Sequence, residues 1–180
     1  MPTHYDFRWA EMDAAMEGTK ALRNLAAKYG ISDPFVDNGV KVLQIAVATG
    51  LDIMPGRQGA DAADRVDNEY EIKTMDTLKS VRGFTTNHHL TASTIAKYRQ
   101  RRFVFATYEN SVLQAAYLVE PEDMEPIYRK WEGQLRGRSH LNNPKIALEY
   151  VIETGRVLYM KDVAAPWTPK TRASEARAGA

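Results

Sequence analysis

Residues 69–74 read Glu-Tyr-Glu-Ile-Lys-Thr, and the reading of these six decides the rest. Successive side chains of a strand alternate faces, so Glu69, Glu71 and Lys73 form one row and Tyr70, Ile72 and Thr74 the other. An aromatic, an aliphatic and a β-branched residue make an inward face. The acidic-acidic-basic row opposite is either the solvated side of an edge strand or a site. Ten residues before Glu71 stands Asp61, in the loop-like PGRQGADAAD of residues 55–64.

Outward from that strand, helical and extended patterns alternate. On the N-terminal side, Trp9 to Lys28 carries Met12, Met16, Leu22 and Leu25 at loose helical spacing before Gly30. A second helix is expected from about Asn38 to Thr49, with Val40, Leu43 and Val47 inward, Asp37 at the capping position and Gly50 as the stop. On the C-terminal side, a turn at Arg82-Gly83 leads to the polar FTTNHHLT, and Thr91 caps a short helix through Tyr98. Arg102–Tyr108 is strongly β-prone, and SVLQAAYLVE makes a second strand after a turn at Glu109-Asn110. Pro121 suits the first turn of a helix in PEDMEPIYRKWE. GQLRGRSHLNNPK reads as a loop, IALEYVIETG as a helix ended by Gly155, and RVLYM as a last strand. Beyond Asp162 the sequence is poor in large apolar residues, and 163–180 is expected to be a flexible tail. The layout is α/β: a mixed sheet flanked by helices, in one domain over 1–162.

At 180 residues the chain can bury about 70% of its unfolded surface in one core. Its lack of cysteine excludes disulfides, thiolate zinc sites and cysteine nucleophiles. With no apolar run of about 18 residues and no signal-like N-terminus, a soluble cytoplasmic protein is expected. The net charge of +1 says little, but its distribution says more. Lys97, Arg99, Arg101 and Arg102 crowd around Tyr98, whereas Glu120, Glu122, Asp123 and Glu125 gather further on. The basic run could follow a phosphate backbone, or be a solvated helix end with cations placed favourably for the dipole.

Two carboxylates, Asp61 and Glu71, with the backbone carbonyl of Ile72, offer the all-oxygen set that Mg²⁺ prefers. A metal there polarises a phosphate and acidifies a bound water, while Lys73 orients that water and steadies developing charge. This is the chemistry of the PD-(D/E)xK nucleases. The spacing alone is common in a charged chain, and an ordinary edge strand with Glu-Lys pairing would also produce it.

A resemblance extends well past the motif. DNGVKVLQ (37–44), PGRQGADAAD (55–64), EYEIK (69–73), GFTTNHH (83–89), IAKYRQ (95–100), KWE (130–132) and NNPKIALEYVIETG (142–155) resemble the PvuII family of restriction endonucleases, in the same order and nearly the same spacing. The resemblance covers roughly Tyr29 to Tyr159 and implies a restriction-endonuclease-like PD-(D/E)xK fold. It implies a homodimeric type II enzyme that uses Mg²⁺ to cut double-stranded DNA at CAGCTG with blunt ends, leaving 5′-phosphate and 3′-hydroxyl.

By the same resemblance, Asp61, Glu71 and Lys73 match the catalytic triplet, and Tyr98 a tyrosine near the metal and scissile phosphate. His88 and His89 belong to a major-groove ribbon together with Thr85, and Asn142 and Asn143 to a second base-reading element. An Asn amide pairs bidentately with adenine, although two turn residues before Pro144 would look the same. Asp37 matches a residue near the minor groove, or is the cap of its helix. Two positions depart from the family: Asn87 stands for a third histidine and Gln58 for an acid. The N-terminal helical region, about 1–30, with Met12, Met16 and Leu22, is the expected dimer contact. A host methyltransferase that protects the site is the expected companion. The alternatives are a relative of altered specificity, read through Asn87 and the 135–140 loop, and a DNA-binding protein without turnover.

Overall fold

The computed structural model of the chain describes residues 7–54, 59–78 and 83–162. Gln58, Arg82 and the stretch 163–180 lie outside the described residues, so the expectations that fall on them are not addressed.

Two helices come first, α1 (Phe7–Lys28) and α2 (Gly39–Thr49). Short strands β1 (Asp52–Ile53) and β2 (Ala62–Ala63) lead into β3 (Glu69–Asp76), the strand read first in the sequence. A ribbon of two-residue strands follows, β4 (Phe84–Thr85) and β5 (His89–Leu90), then α3 (Ala92–Tyr98). The long hairpin β6 (Arg102–Glu109) and β7 (Val112–Val119) precedes α4 (Glu125–Leu135). Strands β8 (Leu141–Asn142) and β9 (Lys145–Ile146), helix α5 (Leu148–Thr154) and β10 (Arg156–Met160) complete the described chain.

The main sheet has the order β1-β2-β3-β6-β7-β10. It is mixed: β3 and β6 run parallel, in register from Tyr70↔Arg102 to Asp76↔Tyr108, and the other neighbours are antiparallel. β3 is therefore an interior strand, and the edge-strand reading of EYEIKT is excluded. Its alternation places two cores. Tyr70 and Ile72 join Val104, Ala106, Tyr108, Leu118 and Ile45 of α2 on one face. Met75, which follows Glu71 and Lys73 on the opposite face, packs with Phe103, Phe105, Ile95 and Tyr98 of α3, Tyr128 and Trp131 of α4, and Val151 of α5. The result is a sheet between α2 on one side and α3 to α5 on the other, with Glu71 and Lys73 on the three-helix side. Each large side chain so buried contributes on the order of 1.5–3 kcal/mol.

The turn between β6 and β7 holds Asn110 at φ 47° and Ser111 at φ 65°. Two left-handed residues in succession match the right-handed twist of a tight hairpin, and the turn lies one residue later than the sequence suggests. Thr91 caps α3 as expected, its hydroxyl accepting the Thr94 N–H at 3.2 Å.

Four expectations need correction. Val47 is 53% exposed; the buried residues of α2 are Gly39, Leu43, Ile45, Ala46 and Thr49, so the stripe is rotated toward Ile45 and Ala46. The N-cap position of α2 belongs to Asn38, and Asp37 lies one step outside it, both left-handed. Pro121 opens a turn, closed by Met124 N–H onto the Pro121 carbonyl, and α4 begins only at Glu125 with Pro126 in its first turn. The expected loop 133–145 is partly regular: Gly133, Gln134 and Leu135 end α4, and Leu141, Asn142 and Lys145 pair through β8 and β9 with the ribbon.

The two opposite charge runs also find each other. Arg99 pairs with Glu125 and Glu132, and Arg102 with Glu120. The Arg99 contacts dock α3 on α4, while the Arg102 pair joins the start of β6 to the end of β7. Arg99 and Arg102 are thus each paired with carboxylates.

Candidate functional site

β3 sets out the site. Glu71 is only 8% exposed, and its Oε1 accepts from Lys73 Nζ at 2.7 Å. Spacing of two along the strand puts both side chains on the three-helix face, and the Lys stem lets the ammonium fold back. Burial pulls the Lys73 pKa down, but the Glu71 carboxylate beside it, with Tyr98 and Asp61, more than offsets this and the net shift is upward. Lys73 therefore carries its charge at neutral pH.

Asp61 arrives from the other side of β3. Its backbone N–H donates to the Tyr70 carbonyl at 2.9 Å, and its Oδ2 accepts the Ile72 N–H at 2.7 Å. Burial first, and then the charge of Glu71, raise the Asp61 pKa above the ordinary carboxylate value. Burial and the neighbouring Glu71 charge thus both disfavour the charged form of Asp61, an arrangement that a bound cation would relieve.

The N–H and C=O of one strand residue point to the same edge. The Ile72 carbonyl therefore faces the Asp61 side, where β2 stops at its pairing with Tyr70 and Glu69. Asp61, Glu71 and this carbonyl supply hard oxygen donors of the kind a divalent ion such as Mg²⁺ takes, so the residues fit the ion.

Tyr98 closes the site from α3. Lys73 Nζ stands 5.9 Å from the centre of its ring, and its hydroxyl donates to the Thr86 carbonyl at 3.3 Å. Burial raises its pKa; the Lys73 charge and a hydrogen bond with the Asn87 side chain act against that shift.

The ribbon brings the remaining residues together in a way their sequence separation hides. His89 pairs with Asn142 across β5 and β8, and Thr85 with Lys145 across β4 and β9. His88 Nδ1 lies 3.2 Å from Asn143 Oδ1, and the Asn143 N–H donates to the His88 carbonyl at 3.3 Å. Thr85, His88, His89, Asn142 and Asn143 are all exposed. His140, seen in the sequence only as the end of a loop, stands edge-on to His89 with ring centres 4.5 Å apart. Asp37 is exposed on the turn before α2, the helix that covers the other face of the sheet.

Thr86 was not singled out in the sequence. It is buried, and its N–H and hydroxyl both donate to the Pro144 carbonyl, at 3.3 and 3.0 Å. One residue thus joins the turn after Asn143 to the Tyr98 hydroxyl. Nothing in its composition distinguishes Thr86 from Thr85, and Thr86 falls just past the two-residue β4, so no local period marks it.

A mixed sheet between helices, with paired carboxylates and an ammonium on its interior strand and exposed polar side chains beside them, defines a restriction-endonuclease-like hydrolase. The family model for the restriction endonuclease PvuII matches residues 7–159, and the chain belongs to that family. It is a type II site-specific deoxyribonuclease with DNA as substrate, of a kind that generally works with a divalent metal.

Proposed function

We propose that this chain acts as a homodimer on CAGCTG, cutting both strands to blunt ends in a reaction that requires Mg²⁺. The observation that carries the reading is the adjacency of the Asp61, Glu71 and Lys73 group to Tyr98, with the exposed histidine and asparagine ribbon bonded to Tyr98 through Thr86.

Asp61, Glu71 and the Ile72 carbonyl would hold the ion, which when bound supplies Lewis acidity at the scissile phosphate and a more acidic water. Lys73 donates toward the attacking water and the developing phosphorane charge, the task for which a buried, protonated amine is suited. Tyr98 shapes the wall on which Lys73 rests. In-line attack forms the new P–O bond and breaks the bond to O3′, leaving 5′-phosphate and 3′-hydroxyl. Asn142 and Asn143 offer donor and acceptor to adenine, and His88, His89 and Thr85 contact the neighbouring bases. Asp37 is assigned to the minor groove near the centre of the site. A palindromic substrate is met most economically by two-fold protein symmetry. A methyltransferase in the same host would protect the site.

A relative of altered specificity is the second reading. Asn87 favours it: its Oδ1 accepts the His89 N–H at 3.1 Å, so the departure from the family histidine lies inside the reading ribbon.

The test is digestion of a plasmid of known sequence with Mg²⁺ or with EDTA, and sequencing of the ends, with Lys73→Ala in parallel. Blunt, metal-dependent ends at CAGCTG that vanish in the variant are expected. Discrete ends at another palindrome would select the second reading, and absence of cleavage by the folded dimer would overturn both.

A further inference from the structure

Lys73 takes one oxygen of Glu71, and the other faces a second cation. Arg101 Nη1 lies 3.4 Å from Glu71 Oε2 and donates to the Gly59 carbonyl at 2.9 Å, while Nε donates to Glu69 Oε2 at 2.8 Å. The side chain is 15% exposed, far from the solvated cation that its place in the basic run 97–102 suggests. Its backbone N–H bonds the Tyr98 carbonyl at 3.1 Å, so the guanidinium is delivered from the junction of α3 and β6.

The three acceptors come from two elements. Glu69 and Glu71 are neighbours on one face of β3, whereas Gly59 belongs to the loop that reaches Asp61 two residues later. Gly59 has φ 133°, a conformation that L side chains rarely adopt, with open space around it. The path of the loop, not its packing, requires glycine there. The bond from Arg101 to the Gly59 carbonyl gives the loop a fixed point two residues before Asp61, in addition to the bonds that tie Asp61 itself to Tyr70 and Ile72.

We propose that Arg101 is a positioning residue that fastens the loop bearing Asp61 to the Glu69 and Glu71 row, and so fixes how far apart the two metal-binding carboxylates stand. The inference rests on the metal reading of Asp61 and Glu71. A guanidinium suits the task because its planar fork presents several donors at fixed angles; a lysine has the charge but not the fork. Groups that orient metal ligands in this way typically change metal affinity by about 10–100-fold when removed.

Charge must be separated from position, since deleting a cation also alters the field at the site. Arg101→Lys keeps the charge and loses the fork. The double variant Glu69→Gln/Arg101→Gln removes one charge of each sign and leaves the local total unchanged. Calorimetric titration of the full chain with Mn²⁺, without DNA, is the readout, with Asp61→Asn to mark binding at the site and thermal melting to confirm folding. Mn²⁺ binding weaker by about 10–100-fold in both Arg101 variants is expected. Unchanged affinity in either folded variant overturns the positioning role. Wild-type binding that Asp61→Asn leaves intact, or no binding at all, overturns the metal reading and the role of Arg101 with it.

Discussion

At the scale of single residues, the two ends of the proposed catalytic triplet, Asp61 and Lys73, differ in what their charge does to the fold. Lys73 is protonated because Glu71, 2.7 Å away, more than compensates its burial. Lys73→Ala is expected to lower the single-turnover cleavage rate by about 10²–10³-fold or more, while DNA binding in EDTA persists. Loss of binding to the same extent would show that Lys73 holds DNA instead of serving the reaction. Asp61 is the reverse case. Its pKa is raised in the folded protein, so folding favours the protonated carboxyl and any stability it adds is lost as pH rises through that raised value. At neutral pH the charged form opposes Glu71. Asp61→Asn, which keeps an acceptor for the Ile72 N–H, is therefore expected to abolish cleavage and to raise the urea midpoint of the metal-free protein at pH 7. That gain should shrink as pH falls toward the ordinary carboxylate range, near about 4. A lower midpoint at neutral pH would contradict the strain assigned to Asp61.

At the scale of elements, the β2–β3 turn is held by one buried carboxylate. Asp64 accepts from the Val66 N–H, the Asn68 N–H, Asn68 Nδ2 and the Tyr70 hydroxyl, at 2.7 to 3.0 Å. Burial works against its ionisation, but these bonds more than offset that and hold its pKa below the ordinary value. The stability it contributes is present above about pH 4 and lost as pH falls through the lowered value. Asp64→Ala leaves the buried Tyr70 hydroxyl without its acceptor and should cost about 1–3 kcal/mol in chemical denaturation at pH 7. A second element-level expectation concerns the ribbon. Asn143 sits at φ 44°, so Asn143→Gly removes the amide without straining the backbone. Discrimination against sites lacking the adenine should fall by about 1–3 kcal/mol, read as the ratio of cleavage rates on matched and altered duplexes. An unchanged ratio would make Asn143 a turn residue only. Local signals made these elements legible to different degrees. The alternation of EYEIKT, the Thr91 cap and the β-prone run 102–108 each announce their structure within a few residues. The pairing of His89 with Asn142, the burial of Thr86 and the capture of Arg101 by Glu69, Glu71 and Gly59 depend on strands and loops far apart in the chain, which no periodicity records. The polar ribbon reads as loop for the same reason: its strands are two residues long, too short to show a period. The residues of the triplet were legible mainly through the family resemblance, because their spacing alone is common.

At the scale of the molecule, a chain with one candidate site meets a duplex with two strands to cut. The helix α1 spans 22 residues, about 33 Å of axis, and carries Trp9, Met12 and Met16 on one stripe, each 46–59% exposed. Leu22 and Leu25, further along, face a separate apolar depression with Val40, Val47, Val112 and Tyr159. A stripe of large apolar side chains along several turns, left uncovered, is a feature of helices that pack against a second copy. A dimer of standard size needs about 800 Å² from each partner, which a helix of this length can largely provide. Met12→Asp with Met16→Asp, away from the sheet and both clusters, is expected to leave the monomer folded while sedimentation shifts from dimer to monomer. On supercoiled plasmid the variant should then nick one strand and accumulate open circles, where the parent chain is expected to release linear DNA. Retained dimer in the folded variant would move the contact to the depression around Leu25 and Val47. Linear product from a proven monomer would show that one subunit cuts both strands in turn, and that the symmetry of the site does not require symmetry in the protein.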